Sequence, residues 1–252
     1  MTEEPKTLNE PAPLSAGVLI IGSLFWEAEK GRKEWQDARL DMASAKAVTA
    51  PIRYGRKART RGDSFTMVFF RLCPSGTAKL VSCSRTISTA QDLIAEAEHL
   101  WKAEKPDATP HRIASNWGCV AVLCNPNPER KIPDEILEGW SKRVAAEDRY
   151  GNVPQTEAEG PLITKGGLLQ IEWPRVVDGG AAAQPDILLV TATHPDLMGT
   201  PRCYPSVETI VRAWNSAGSH SEYFWKNTDS GIRTFQDDQI RELLHPRGWW
   251  QA

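Results

Sequence analysis

Residues 18–24 read Val-Leu-Ile-Ile-Gly-Ser-Leu, and this stretch decides most of what the sequence predicts. Four consecutive apolar residues that end abruptly at Gly22 and Ser23 are typical of a buried β-strand running into a tight turn. Backbone N–H groups exposed at such a turn can bind an anion, and the Ser23 hydroxyl adds an adjustable hydrogen-bond donor. An ordinary strand-ending turn explains the same residues, so both interpretations stay open at this point.

Apolar runs and helical periodicity predict the elements around this strand. Further strands are expected at 48–54, 65–70, 78–83, 117–124, 168–173 and 187–193. Helices are expected at 90–103, 134–148, 206–214 and 237–244, with a short one inside 26–42. The turn residues Pro74 to Thr77 also predict that the strands at 65–70 and 78–83 form a hairpin.

The order of these elements predicts the fold class. Strands do not alternate with helices as a doubly wound parallel sheet requires. We therefore expect an α+β fold, with a mixed, mostly antiparallel sheet or small barrel packed by about four helices. Residues 1–15 are acidic and proline-rich and are expected to form a flexible tail, and residues 16–252 are expected to form a single globular domain.

Composition excludes several classes of protein. The chain has 252 residues, 40% hydrophobic and 25% charged, and lacks an apolar run of the roughly 18 residues that a membrane-spanning helix needs. Its 30 Lys and Arg are balanced by 32 Asp and Glu, which disfavours extensive nucleic-acid binding and leaves only a short contact open. The five cysteines lack C-x-x-C spacing, so neither a zinc knuckle nor a disulfide framework is expected, and a cytoplasmic setting follows.

Motifs with a well-defined chemistry are missing from the sequence. It contains no phosphate-binding loop of the G-x-x-x-x-G-K-[ST] type, no G-x-S-x-G elbow and no H-E-x-x-H helix. The five histidines are scattered without ligand spacing. The sequence therefore predicts no metal site and no cofactor.

A basic segment at 53–61 is the second candidate binding feature. It carries Arg53, Arg56, Lys57, Arg59 and Arg61 within nine residues. The planar guanidinium group suits a carboxylate or a phosphate better than an ammonium group does. This segment predicts either a site for a small anionic molecule, in which Tyr54 would stack on the ligand, or a solvated loop neutralised by nearby acids.

The order of several short motifs resembles the γ-glutamylcyclotransferase-like family. The strand that ends in Gly22-Ser23-Leu24 is similar to that family's Tyr-Gly-Ser-Leu turn, although Ile21 stands in place of the tyrosine. Trp117 to Val122 is similar to its middle strand, and the helix at 134–148 falls where the family carries its catalytic glutamate. The strands at 168–173 and 186–193, followed by Pro205 and Ser206, resemble its closing segment.

The resemblance implies a reaction and a set of site residues. In this family the Gly-Ser turn holds a glutamyl group, and a glutamate acts as general base and acid while the α-amine attacks the γ-carbonyl and 5-oxoproline leaves. Such a glutamate needs partial burial to raise its pKa. The family motif Leu-Asp-x-x-Glu places Ser141 where this acid belongs, so Glu138, one turn earlier, is the best-placed catalytic candidate.

Two functions of different classes remain open. The first is a domain that binds a carboxylate-bearing, glutamyl-type ligand at Gly22, Ser23 and Leu24, with Arg53 or Arg56 pairing with a carboxylate. The second is a non-catalytic module on the same fold that recognises an anionic metabolite, a protein or a nucleic acid through the basic segment. Whether the chain is an enzyme is left open.

Tryptophan is unusually frequent, with 10 of the 20 aromatic residues. Trp101, Trp140 and Trp214 fall on apolar helix faces and Trp117 and Trp173 fall in strands, and all five are expected in the core. Trp26 follows the Gly-Ser turn and is expected to wall the pocket. Trp249 and Trp250, in the C-terminal tail, are expected either to contact a second copy of the chain or to dock back on the body of the domain.

Overall fold

The computed structural model describes residues 12–148, 150, 160–177, 179, 184–216 and 222–244. Its strands are β1 (Leu14–Ile20), β2 (Leu40–Ala50), β3 (Ile52–Ala58), β4 (Ser64–Phe69), β5 (Gly76–Ile87), β6 (Ala114–Ser115), β7 (Gly118–Cys124) and β8 (Ile187–Thr193). Its helices are α1 (Lys30–Arg39), α2 (Ala90–Glu104), α3 (Asp134–Ala145), α4 (Val207–Ser216), α5 (Glu222–Asp229) and α6 (Asp237–Leu244). The predicted α+β class is confirmed.

A mixed sheet of six strands, in the order β2-β5-β1-β8-β7-β6, forms the centre of the fold. β1 runs parallel to β8 and antiparallel to β5, and the other neighbours in this sheet are antiparallel. β3 and β4 form a separate antiparallel pair. Since the strand pairings of the described residues do not close on themselves, the open sheet is the correct one of the two expected alternatives.

Apolar groups cover both faces of the sheet. Along β1, Leu19 contributes to the cluster that contains the β3-β4 pair, α4 and α5, whereas Val18 and Ile20 contribute to the cluster that contains α2 and α3. This division follows from the alternation of side chains along a strand. Because both sides of β1 are buried, its second half, Val18 to Ile20, is continuously apolar.

Three of the five tryptophans expected in the core are buried, whereas Trp117 and Trp173 are only partly buried. Trp101, Trp140 and Trp214 are at most 1% exposed, and the last two donate their indole N–H groups to backbone carbonyls, of Gly167 at 3.3 Å and of Phe65 at 3.1 Å. A buried indole needs such a partner, because an unpaired N–H group costs free energy.

The helix α2 begins where the sequence predicts. Thr89 Oγ1 accepts a hydrogen bond from the Asp92 N–H group at 3.2 Å, and the Asp92 carboxylate accepts one from the Thr89 N–H group at 2.8 Å. This reciprocal capping box satisfies two donors at the helix start. The apolar stripe of α2 includes Leu93, Ala97 and Leu100, which are fully buried.

The predicted hairpin of 65–70 with 78–83 is wrong. Both strands exist, but β4 pairs with β3, and β5 lies between β1 and β2. Gly62 and Asp63, both in the left-handed region of backbone conformation, close the β3-β4 turn. The longer β5 reaches two strands that are distant in sequence and bury it on both edges.

Four further expectations need correction. The described residues contain six α-helices rather than about four, since α1 is a full helix and α5 was not anticipated. Residues 168–173 form only isolated β-bridges and not the expected strand. β1 begins at Leu14, inside the expected tail, and the basic segment is mostly strand β3 rather than a loop. The tail residues Trp249 and Trp250 lie outside the described residues.

Candidate functional site

A cavity of about 600 Å³ opens at the carboxyl end of β1. Because β8 is parallel to β1, the two strands end at the same edge of the sheet, and Thr191 and Thr193 of β8 line the cavity beside the turn. The lining carries both signs of charge: Arg32, Arg56, Arg61 and Lys105 against Glu27, Glu29, Glu104, Asp107 and Glu222. Such a lining suits a ligand that itself bears groups of both charges.

The turn after β1 leaves backbone donors free. The Gly22 carbonyl accepts from the Phe25 N–H group at 3.1 Å, and the Ser23 carbonyl accepts from the N–H groups of Trp26 and Glu27 at 3.2 and 2.8 Å. The N–H groups of Gly22, Ser23 and Leu24, in contrast, donate to no residue that the structure describes. Three neighbouring unpaired N–H groups on the lining are suitable donors to an anion.

An ion-pair cluster holds the turn in place. Arg32 of α1 donates to Ser23 Oγ at 3.1 Å and pairs with Glu27. Arg61 donates from Nη2 to both carboxylate oxygens of Glu27 at 2.9 Å. Glu27 bridges these two arginines, and the cluster fixes the turn against α1 and against the short helical turn 59–61 that follows β3.

A carboxyl group lies within the same cavity. Glu104, the last residue of α2, has a side chain 20% exposed, and Arg32 Nη2 is 3.8 Å from its Oε2 atom. Burial raises the pKa of Glu104, and the positive charge of Arg32 is the strongest of the influences that lower it. Thr191 is close enough for its hydroxyl also to lower that pKa, although the pair lacks the geometry of a full hydrogen bond. A carboxyl group with a raised pKa is suited to transfer protons near neutral pH.

Arg56 presents a different arrangement from the other two arginines. Its guanidinium lies 4.5 Å from the centre of the Trp117 ring, and that ring stacks on Trp101 at 4.9 Å. The guanidinium group makes no ion pair or hydrogen bond with any described residue. Burial lowers the pKa of Arg56, and the negative charge of Glu104 is the strongest of the influences that raise it.

Several of the residues singled out in the sequence meet at this cavity, among them Arg61 of the basic segment. Gly22, Ser23, Leu24 and Arg56 all line it. Trp26 lies directly behind the lining: its ring is 6.0 Å from that of Tyr223, and its Nε1 atom donates to Asn227 at 2.9 Å. Trp26 therefore supports the wall and is not itself part of it.

Arg53 and Tyr54 do not line this cavity. A bulge between Tyr54 and Arg56 interrupts the alternation of side chains along β3. Tyr54 is fully buried against Trp214, with ring centres 4.9 Å apart. Arg53 lies 4.4 Å above the Tyr204 ring. Their expected contacts with a ligand are therefore wrong for this cavity.

Glu138 is likewise outside the cavity. The helix α3 turns Ile136 and Trp140 into the core, and Glu138 is two residues from each of them. Since two residues correspond to about 200° around a helix, its side chain lies on the opposite, exposed face. The catalytic role expected for Glu138 is incompatible with this position.

Glu104 was missed, although the sequence contains a signal for it. It follows Leu100 by four residues and Trp101 by three, so it extends the buried stripe of α2. A single acidic residue at the end of an otherwise apolar stripe indicates a carboxylate that the fold turns inward. Tyr223 of α5 and Arg32 of α1, which also line the cavity, carried no comparable signal.

Comparison with known proteins gives no match. No family model, no curated protein and no solved structure is similar to the chain. Among the described residues, no group of three or more His, Cys, Asp or Glu side chains is placed to hold a metal ion. No helix in the described ranges is long and apolar enough to cross a membrane.

Proposed function

We propose that this cavity binds a small glutamyl-type ligand and closes it to 5-oxoproline, with Glu104 as the general base and acid. The observation that carries the proposal is the position of one guanidinium group. Arg32 reaches Ser23 Oγ at 3.1 Å with one nitrogen and Glu104 Oε2 at 3.8 Å with another. The guanidinium of Arg32 therefore bridges the turn that would bind the anion and the carboxyl group that would transfer the proton.

The turn has the properties that a carboxylate site needs. The N–H groups of Gly22, Ser23 and Leu24 are unpaired in the described residues, and no acidic side chain is bonded to them. Hydrogen bonds from backbone N–H groups to a carboxylate are charge-assisted and contribute roughly twice as much as neutral ones.

Glu104 supplies the proton transfer. The neutral α-amine of the ligand attacks its γ-carbonyl carbon, which forms the ring C–N bond, and the bond from that carbon to the leaving nitrogen breaks. Glu104 accepts the proton lost by the attacking nitrogen and returns it to the leaving nitrogen. The products are 5-oxoproline and a free amine, without net consumption of water or protons. The burial that raises the pKa of Glu104 supports this dual role.

The catalytic acid of this proposal is not at the position that the family resemblance implied. The resemblance pointed to α3, whereas Glu104 lies at the end of α2. A glutamate that reaches the same cavity from another helix can perform the same chemistry, because the reaction requires only that the carboxyl group be within hydrogen-bond reach of the amine.

Release of 5-oxoproline from a γ-glutamyl amide tests this function. We expect the wild-type protein to form 5-oxoproline and the Glu104→Gln variant to lose about 100-fold or more of the rate while it still binds the ligand. Glu138→Gln, which changes an exposed glutamate on α3, is the matched control and should keep the full rate. Equal rates in wild type and Glu104→Gln would contradict the assignment.

A binding module without catalysis is the second candidate. It is favoured by the exposure of Glu138, because the helix that carries the family's acid contributes none to this cavity. Saturable binding of the γ-glutamyl amide to the wild type, with no 5-oxoproline formed, is the result that would select this candidate over the first.

A further inference from the structure

Arg56 is a partly buried cation that makes no ion pair with any residue the structure describes. Arg32 and Arg61, the neighbouring arginines on the lining, are both bonded to Glu27. The guanidinium of Arg56 makes no ion pair or hydrogen bond with a described residue and lies 4.5 Å from the centre of the Trp117 ring. The cavity therefore contains one guanidinium whose N–H donors are not used by the protein.

An unpaired cation in this position costs free energy. Removing a charged group from water without a compensating partner is unfavourable, and a guanidinium cannot escape by losing its proton. Burial lowers the pKa of Arg56, which reports this loss of hydration, and Glu104 and Asp196 act on it only from a distance. An anion bound from the cavity would supply the missing partner.

The stacking fixes where that anion would bind. The Trp117 ring lies 25° from parallel to the fully buried ring of Trp101, so it cannot swing freely. The guanidinium carbon of Arg56 lies over this constrained ring, 4.5 Å from its centre, where the negative face of the indole attracts a cation. Arg56 is thus oriented before any ligand arrives.

The distance from the turn to this guanidinium follows from the strand order. Gly22 follows β1, and Trp117 immediately precedes β7, with β8 between these two strands. The His194 N–H group donates to the Trp117 carbonyl at 2.8 Å, which places Trp117 level with the end of β8. Two strand spacings separate the backbones of Gly22 and Trp117, beside which the two sites lie, by roughly 10 Å. This is about the reach of a molecule of two to three amino-acid units.

The wall between the two sites is polar. Thr191 and Thr193, on the same face of β8, line the cavity there, and neither hydroxyl has a hydrogen-bond partner in the described part of the chain. Buried hydroxyls are nearly always paired in folded proteins. An elongated ligand that crosses β8 would offer them carbonyl or amide groups.

We propose that Arg56, held on the ring of Trp117, binds a second anionic group of the ligand and selects elongated dianions over monoanions. The first anionic group is the carboxylate bound at the turn, so this inference rests on the proposed function for that end of the ligand. Arg56 is then the specificity-determining residue of the site.

Two γ-glutamyl compounds of similar size test the proposal by isothermal titration calorimetry. γ-Glutamylglycine carries a second carboxylate, and γ-glutamylethylamide lacks it. We expect the wild type to bind the glycine compound about 10- to 100-fold more tightly, as is typical of a charge-assisted hydrogen bond. In Arg56→Gln the ratio of the two affinities should fall to about one, with binding of the ethylamide unchanged.

Two further variants guard against misfolding as an explanation. Arg59→Gln removes an exposed arginine from the same basic segment and should keep the wild-type ratio. Arg56→Lys keeps the charge without the planar fork, so it should give an intermediate ratio. Equal binding of both compounds by the wild type, or an equal loss of both in Arg56→Gln, would overturn the proposal.

A thermal-shift series separates this proposal from the function proposed above. Linear dicarboxylates from succinate to suberate need neither an amine nor a γ-carbonyl. We expect the wild type to be stabilised most by the longer members, and Arg56→Gln to lose that preference. If no dicarboxylate distinguishes the two proteins, the second anion site is wrong. If the dicarboxylates behave as expected but no γ-glutamyl compound binds, only the glutamyl assignment fails.

Discussion

A Cβ atom on Gly22 would lie 2.6 Å from the hydroxyl oxygen of Tyr223. Tyr223 is 5% exposed, and its hydroxyl oxygen accepts a hydrogen bond from the Met67 N–H group at 3.5 Å. The ring therefore has little room to retreat. Close approach of α5, rather than an unusual backbone conformation, is what requires a glycine at the end of β1.

We expect Gly22→Ala to lower the free energy of unfolding by about 1–3 kcal/mol, because the added methyl group overpacks the contact with Tyr223. The double variant Gly22→Ala/Tyr223→Phe removes the clashing oxygen and should recover part of this loss. Urea denaturation measures both. Gly31→Ala is the control, since a Cβ atom at this position in α1 meets no atom within 4 Å. A Gly22→Ala protein as stable as wild type would show that the turn moves.

The raised pKa of Glu104 predicts a pH dependence of stability. The folded-state pKa lies above the unfolded one because burial disfavours the carboxylate, so the protonated form is favoured by folding. The stability that this group contributes is present at low pH and is lost as the pH rises through the raised pKa. Glu104→Gln should therefore gain stability relative to wild type as the pH rises. Urea denaturation across that pH range measures the difference, and Glu138→Gln should show none of it.

Asp237 at the start of α6 predicts a second pH effect with a defined range. Burial raises its pKa from 3.8 to about 6, and hydrogen bonds from the Thr234 hydroxyl and N–H group oppose the rise. Stability from this group is fully present below pH 3.8 and is lost as the pH rises through about 6. Between pH 3.8 and about pH 6, the free energy of unfolding of Asp237→Asn relative to that of the wild type should rise by up to about 3 kcal/mol.

The same urea experiment provides the control for Asp237. Asp238→Asn changes the neighbouring carboxylate, whose side chain is 90% exposed, and its stability should follow the wild-type curve with pH. A constant difference between Asp237→Asn and wild type over this range would contradict the prediction.

The cysteines should differ widely in reactivity. Burial raises the pKa of Cys73 and Cys83 to about 12 and that of Cys124 to about 11, whereas Cys203 is exposed. A rise of three pKa units lowers the thiolate fraction about 1,000-fold. Iodoacetamide should therefore modify Cys203 first, and Cys203→Ser should lose the fast phase, as followed by mass spectrometry. Rapid modification of Cys73 or Cys83 in the folded protein would contradict this.

Local sequence predicted the elements that depend on neighbouring residues. The strand β1 and its turn follow from an apolar run that stops at Gly22 and Ser23. Thr89 and Asp92 mark the start of α2 by the hydrogen bonds that they exchange. Burial of Trp101, Trp140 and Trp214 follows from helical periodicity. In each case the sequence pattern that indicates the structure lies within a few residues.

Predictions that needed a distant partner failed. β5 was expected to pair with β4 across a short turn, but it pairs with β1 and β2. The apolar character of a strand indicates that it is buried and does not specify which strand lies beside it. Its partners depend on how all the apolar faces are buried together.

Only the tertiary structure decided which charged residues meet at the cavity. The sequence contained both Glu104 and Glu138, and both Arg53 and Arg56. Because α3 packs on the core through its other face, Glu138 does not reach the cavity. The bulge in β3 directs the Arg56 side chain to the cavity, whereas Arg53 and Tyr54 do not line it. A local pattern determines backbone conformation and the periodicity of side chains. The direction in which a side chain finally points depends on the packing of elements far apart in the chain, which no local pattern contains.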